Sequence, residues 1–352
     1  GDAILFQPTL SDNYNANLRL QLDAGTGPDL LYARSYETGR ELYNAGFLVD
    51  LREIVPDLAK NFSAESLDPW TAEDGAIFGV PLAAVTHVFY YNVEIFEKNN
   101  IAIPTSWEEL LEICEKLKTA GITPIGNGTA SEWDMLECLF LGMVPSWIGG
   151  ADARVQYENK TLKLNDEKWA KLYEDFAKLT PYLDPNFTAI GYYDSQAMFA
   201  TGKCAMYADG SWSIDTLAEA EVEWDSFAIP GPGGNTAMCV HPDCAIGINK
   251  ASDDMEACVK FANWIASVEG VKIAAQYLPN GFFPLIEGEI ELPNDRANAM
   301  YKLNDGKDIK DTRFIWRELM DLYNPMHTEL VKLLKGEATP QQSGDAMAEL
   351  WK

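Results

Sequence analysis

Trp212 stands directly after Asp209-Gly210-Ser211, at the end of the apolar run Cys204–Ala208. Such a run reads as a strand, and in α/β folds small molecules are held where strands end at their carboxyl side. An indole there offers a flat apolar face, and the neighbouring carboxylate offers an acceptor. Together they suit non-covalent capture of a ligand with a flat face and a hydroxylated rim. Each residue has an ordinary alternative, core packing for Trp212 and the N-cap of a helix over Ser213–Leu217 for Asp209. Arg34, Tyr36 and Glu37 follow a second strand-like run, Leu30–Ala33. They bring a cation, a phenol and an acid to one loop, with solvated loop residues as the equal alternative. Thr86 and His87 are neighbours on a strand predicted over Val85–Tyr91, so they point to opposite faces and at most one of them serves a ligand site. A lone histidine is more often a satisfied structural residue.

Covalent chemistry finds little support. No G-x-x-x-x-G-K-[ST], G-x-G-x-x-G, H-E-x-x-H or G-x-S-x-G occurs. The three histidines, His87, His241 and His327, have no metal-ligand spacing with one another or with a cysteine pair. No cofactor is implied. With 54 acidic residues the chain always offers carboxylate pairs, and whether one pair suits glycoside hydrolysis is a question of space that the order of residues does not answer.

The elements that must position these side chains are legible. Between Gly79 and Pro104 the strand Val85–Tyr91 runs into a linker, and a helix follows with a capping box from Ser106 to Glu109. Leu110, Cys114 and Leu117 recur at helical spacing, and Gly121 falls where a left-handed C′ residue is wanted. Asp166 caps a segment with Trp169, Leu172, Tyr173, Phe176 and Leu179 on one face, and Ser252 precedes Cys258, Phe261, Ala262 and Ile265. Ala245–Ile248 reads as a further buried strand. Helices and strands alternate, which is the pattern of an α/β class.

The chain of 352 residues is 47% apolar, enough for two domains with a core each. Its 27 basic and 54 acidic residues give a formal net charge of −27, which repels phosphate backbones and anionic lipid and makes nucleic acid an unsuitable partner. The acids are scattered, as a solubilising surface requires. There is no run of 18 apolar residues, and Gly1–Asp2–Ala3 has neither the basic start nor the apolar stretch of a signal peptide, so a cytosolic chain or a mature secreted form is expected. The six cysteines form no C-x-x-C. Cys114 and Cys258 lie on apolar helical stripes as buried thiols do. Cys239 and Cys244 are near enough along the chain to pair across a loop, and spacing leaves that open.

The order G-V-P (Gly79–Pro81), a strand ending in Tyr91-Asn92, the Phe96-Glu97-Lys98 helix, Pro104-Thr105-Ser106-Trp107-Glu108-Glu109-Leu110 and Lys118–Ile125 strongly resembles the extracellular solute-binding proteins of ABC importers, in the sugar-binding branch that includes the maltose-binding type. Gly25–Leu30 resembles the family's G-x-x-P-D-[LV] turn, Gly46–Leu51 its G-x-L-x-D-L, Phe199–Trp212 its F-x-x-G-x-A-M-x-x-x-G-S-W segment, Phe227–Pro232 its P-G-P connector and Lys335–Pro340 its G-E-x-T-P. The likeness covers nearly the whole chain. It makes Ile4–Tyr14 the family's second strand, leaving the first lobe short of one strand and one helix, roughly thirty residues, with an open sheet edge.

The resemblance implies a two-lobed, periplasmic-binding-protein-like α/β fold with discontinuous lobes and an interlobe cleft. The first lobe would hold 1–83 and 244–303, the second 84–243 and 304–352, with hinge crossings near Leu82–Val85, Asp243–Ala245 and Asn304–Lys307. By the same likeness Trp212 stacks on a sugar ring, with Asp209 accepting a hydroxyl beside it. Trp133 and Asp134 line the second lobe's side of the cleft or begin a helix through Leu141 with the indole wedged beneath it. Arg34, Tyr36 and Glu37 form the first lobe's contact loop, and Asn280 and Phe282 in the first lobe's Asn280–Pro284 turn touch ligand. The implied function is a non-enzymatic, monomeric, extracytoplasmic protein that closes on a carbohydrate, most simply an oligosaccharide, and presents it to ABC permease subunits. A carbohydrate-active enzyme on a similar glycan, or a binding protein for a polyol, peptide or other non-sugar solute, is the alternative. An extracellular, surface-anchored or periplasmic location is implied, with the signal or lipid anchor outside these residues. Cysteines in such number suit a surface free of strong oxidants.

Overall fold

A segment forms a strand here mainly because it is apolar on both faces. The computed structural model describes residues 3–9, 11–149, 153, 156–157, 159–286, 291–307, 309–310 and 320–352. Its strands are β1 (Leu30–Tyr32), β2 (Val80–Asn92), β3 (Thr123–Ile125), β4 (Cys204–Gly210), β5 (Trp224–Ala228), β6 (Met238–Ile248), β7 (Phe283–Pro284) and β8 (Ile309–Lys310). β2 starts five residues before the strand predicted from alternation and is buried on both faces along almost all of its length, as is β4. Thr86 and His87, expected to point to opposite faces with at most one of them serving a ligand site, are both interior.

The chain divides into two compact units, Gly1–Ala84 with Pro242–Leu278 and Phe283–Pro293, and Val85–His241 with Pro279–Phe282 and Asn294–Lys352. The family resemblance implies residues 294–303 in the first lobe and a crossing at Asn304–Lys307. The chain instead passes to the second unit after Pro293. The helix Asp295–Tyr301 packs on β5, with the Arg296 guanidinium 4.1 Å from the Trp224 ring centre and 2.7 Å from Glu223.

In the first unit β1 pairs antiparallel with the end of β6 (Leu30↔Ile248 to Tyr32↔Ile246), and Ala83 and Ala84 of β2 pair with β7. One apolar cluster there gathers Leu51, Val55, Phe62, Val80, Ile248, Cys258 and Ile265, and another Leu22, Leu31, Leu48, Trp70 and Phe78. Residues 3–9 form no strand, and Ile4, Leu5 and Phe6 are exposed. No described strand pairs with them, and an unpaired extended segment has no ladder to hold it.

In the second unit β2 is flanked antiparallel by β4 (His87↔Gly210 to Tyr91↔Met206) and by β5 (Val88↔Ala228 to Asn92↔Trp224), and β4 continues parallel to β3. Its core takes Phe89, Phe96, Trp107, Leu110, Phe140, Trp169 and Phe176 together with Met326, Leu330 and Met347 from the helices Met320–Leu334 and Pro340–Leu350. The helix Trp107–Thr119 begins at Ser106, whose hydroxyl accepts the Glu109 N–H at 3.2 Å. The expected reciprocal bond is displaced by one residue, because the Glu109 carboxylate takes the Thr105 N–H at 2.7 Å and its hydroxyl at 2.9 Å. At the other end Gly121 has φ +75°, with Gly121 N–H to Lys118 O and Ile122 N–H to Leu117 O, a Schellman closure. Cys239 and Cys244 are not bonded to each other. Both lie on β6, where a rise of about 3.3 Å per residue carries them apart along the strand.

Candidate functional site

The second unit carries an aromatic face built at the end of β4. Gly210 closes the strand, and Ser211–Ser213 form one tight turn that holds the half-buried Trp212 back over that glycine. A Cβ at Gly210 would lie 2.0 Å from the indole, so only glycine lets the ring settle there. The Trp212 Nε1–H donates to Tyr192 Oη at 2.8 Å, and Tyr192 Oη donates to Asp209 Oδ2 at 3.0 Å. On the other side of Tyr192 the ring of Trp133 stacks at 3.7 Å between centroids and 28°. Tyr193 meets Tyr192 edge-on and is 70% exposed. Both tyrosines come from the start of the helix Tyr192–Ala200, whose first turn is held by Asp194 accepting the Gly191 N–H. Trp133 caps the π-helical turns Asp134–Leu141.

Asp209 is fully buried. Its Oδ1 accepts from the Cys138 thiol at 3.2 Å and the Gly210 N–H at 2.8 Å, and its Oδ2 from the hydroxyls of Tyr192 and Ser213. All four acceptor positions are taken, so it acts on Trp212 through Tyr192 and neither offers an acceptor outward nor caps the following helix by its backbone. Burial pushes its pKa up against these bonds, and burial likewise pushes the Tyr192 phenol up. Asp134 is also fully buried, with Asn127 Nδ2 at 2.8 Å, Gly128 N at 3.0 Å and Ser195 Oγ at 2.5 Å. Burial raises its pKa to about 7 despite those donors. Thr86 is spent inside the fold, its N–H donating to Ser211 Oγ at 3.1 Å and its hydroxyl donating to Cys239 O at 3.0 Å.

His87 lies under the indole, edge-on at 5.6 Å and 89°. Its Nε2 faces His241 Nε2 at 2.9 Å and its Nδ1 faces Cys138 O at 3.4 Å. The carbonyl requires a proton on Nδ1, so Nε2 of a neutral His87 accepts and His241 donates. Asn280 and Phe282 are half-buried beside this face, on residues that cluster with the second unit and not with the first. Asn280 N–H donates to Asp215 Oδ2 at 3.0 Å, and Gly281 O receives the Ser211 hydroxyl.

The first unit carries a separate cluster. The half-buried Arg34 guanidinium lies 4.9 Å from the Tyr32 ring and 5.7 Å from the Tyr14 ring, with Nε reaching Asn15 Oδ1 at 3.3 Å. Tyr32 Oη donates to Asp243. Tyr36 is buried with φ +58°, a left-handed conformation uncommon outside glycine. The turn it makes closes so tightly that a Cβ at Gly39 would lie 2.1 Å from Arg34 O. Glu37 pairs with the buried Arg40 at 3.1 Å. Tyr192, Tyr193, His241, Tyr14 and Tyr32 were not found from sequence. Only the Tyr-Tyr pair after Gly191 at a helix start gave any local signal. Among the described residues no group of three His, Cys, Asp or Glu is placed to hold a metal ion, and no helix is long and apolar enough to cross a membrane.

Residues 2–272 match the family model of the bacterial extracellular solute-binding proteins. The chain belongs to this family. Among relatives it is 23% identical over 252 residues to a multiple sugar-binding protein of Streptococcus mutans, covering 68% of this chain and 58% of that one. It is 22% identical over 304 residues to an sn-glycerol-3-phosphate-binding periplasmic protein of Rhizobium meliloti, covering 81% and 65%. The chain thus spans less than two thirds of the length of either solute-binding relative. Solved structures share its fold: a chitin oligosaccharide binding protein (TM-score 0.79, 23% identity, 96% of this chain and 86% of that one) and a substrate-binding protein of Listeria monocytogenes in complex with cycloalternan (TM-score 0.74, 20% identity, 98% and 89%). The fold is therefore the two-unit α/β architecture of solute-binding proteins, as the sequence resemblance implied.

Proposed function

We propose that this protein is the extracytoplasmic carbohydrate-binding component of an ABC importer, with Trp212 as a stacking platform and Trp133, Tyr193 and Phe282 beside it. The observation that carries the reading is the half-buried indole of Trp212, held in place by its own hydrogen bond and packed with Tyr192 and Trp133 into one aromatic face. Pyranose rings present apolar faces that such surfaces cover. Family membership and relatives named for sugar binding support the same class. A binding role is favoured over hydrolysis because the two carboxylates next to the platform, Asp134 and Asp209, are fully buried and committed to protein donors. Delivery to permease subunits from the cell surface or periplasm, as a monomer, and trapping by hinge closure complete the reading. Ligand contacts made only in a closed form would shift the population toward it.

A second reading, a phosphorylated polyol, is favoured by one feature, the half-buried Arg34 cation between two tyrosines in the first unit, and by the relative named for glycerol phosphate. A thermal-shift panel of chitooligosaccharide, xylooligosaccharide, raffinose and galactose, with glycerol 3-phosphate and amino acids beside them, separates the two. A bound sugar at about 100 times its Kd adds about 2.7 kcal/mol of stability. The shift is expected with a sugar and is lost in Trp212→Ala. A shift from glycerol 3-phosphate alone, lost in Arg34→Ala, would replace the sugar reading. Saturation with the bound sugar is expected to reduce the radius of gyration in X-ray scattering, and an unchanged radius counts against trapping by closure.

A further inference from the structure

The indole N–H of Trp212 does not face outward. It donates to Tyr192 Oη at 2.8 Å, which passes its own proton toward buried Asp209 at 3.0 Å, and Asp209 is held in turn by Ser213, Cys138 and the Gly210 N–H. Tyr192 Oη also lies 3.3 Å from Ser213 Oγ, and Ser213 receives Gln196 Nε2 at 3.0 Å, so the phenol has little freedom to turn away. Its ring is fixed by the stack with Trp133 and by near-complete burial. The indole meets Gly210 beneath and the imidazoles of His87 and His241 at 5.6 and 6.4 Å.

We propose that Tyr192, anchored on Asp209, is a positioning residue that sets the rotation of the Trp212 ring, so that Trp212 meets its ligand with the ring face alone and offers it no N–H. The proposal rests on Trp212 being the ligand platform. Discrimination among hydroxyl arrangements then belongs to other side chains, while Trp212 selects for an apolar ring face. A hydrogen-bond chain that runs from indole to phenol to the Asp209 carboxyl is directional, and each link polarises the next. Removing the phenol oxygen leaves the indole N–H and one carboxylate lone pair unmatched, and the ring becomes free to pivot about its side-chain torsions.

The test uses the full chain as Tyr192→Phe, Trp212→Phe and the double variant. The Trp212 indole resonance, assigned by its absence in Trp212→Phe, is expected to exchange slowly with solvent in the wild type although the ring is half-buried, and to shift and exchange faster in Tyr192→Phe. Calorimetric titration with the panel sugar that the wild type binds is expected to show about fivefold weaker binding in Tyr192→Phe, the worth of one neutral hydrogen bond. No further weakening is expected when Tyr192→Phe is added to Trp212→Phe, because the phenylalanine has no N–H to orient. A merely structural Tyr192 would weaken both backgrounds alike, and that result overturns the proposal. Fast exchange of the wild-type indole proton overturns it without any Tyr192 variant, so a Tyr192→Phe chain that does not fold still leaves a decision. If no panel sugar binds the wild type, the carbohydrate reading fails while the indole resonance continues to decide the positioning.

Discussion

Asp134 shows how a residue singled out by its place can have a different task from the one expected. It follows Trp133 in sequence, yet it faces inward and ties Asn127, Gly128 and Ser195 together. Burial holds its pKa near 7, above the ordinary 3.8, so the folded chain grips this proton more tightly than the unfolded chain does. By linkage its contribution to stability is greatest below the unfolded value and is lost as pH rises toward 7. In Asp134→Asn the amide is mispaired against a donor, which costs on the order of 1–3 kcal/mol. Urea unfolding at pH 5 and pH 8 is expected to show that deficit narrowing at the higher pH, since only the wild type bears a buried charge there. A deficit that is constant or grows would contradict the assignment. The same inward turn was not readable for Asp209 or Thr86, because residue type and strand phase are alike for a ligand contact and a buried hub. What decides between them is whether a neighbour twenty residues away, such as Tyr192 for Trp212, supplies the partner.

At the scale of elements, the helix Trp107–Thr119 was legible down to its ends because cap, apolar stripe and C′ glycine are local signals. Ser106→Ala is expected to cost about 1 kcal/mol through the lost cap. Gly121→Ala, at φ +75° with open space around it, is expected to cost about 1 kcal/mol for conformation alone. Gly281 is the harsher case: its φ is +89° and a Cβ would sit 1.8 Å from Ser211 O. Gly281→Ala is therefore expected to lose more than about 2 kcal/mol in urea unfolding and to disturb sugar binding, because Ser211 precedes Trp212. Similar losses for Gly121→Ala and Gly281→Ala would mean that the loop 279–282 yields more easily than its geometry suggests. A helix through Leu141 beginning at Trp133 and Asp134 was one of the two readings of the sequence, but the π-helical winding of the turns Asp134–Leu141 was not legible. Seven of their eight residues are buried, so the apolar stripe that marks an exposed helix is missing.

For the molecule as a whole, the α/β class and the strand-helix order were legible because apolar runs and caps alternate along the chain. The division between units was read less well, since Pro293 and Asn304 look equally like boundaries until Arg296 is seen on Trp224. The net charge of −27 is a property of the entire surface, and mutual repulsion of that size is screened by salt. The melting temperature is expected to rise between about 10 and 150 mM sodium chloride, where the Debye length falls from roughly 30 to 8 Å. A falling melting temperature would mean that local ion pairs outweigh the repulsion. The second unit's core draws on Met326, Leu330, Leu333 and Met347, far along the chain from Phe89 and Trp107 that they join. During synthesis at about 5–20 residues per second that unit cannot close until residues 320–350 have left the ribosome. A polypeptide of an extracellular family that finishes its interior with these late helices stays loose while the ribosome is still at work, the condition in which a chain can be threaded through a translocation pore.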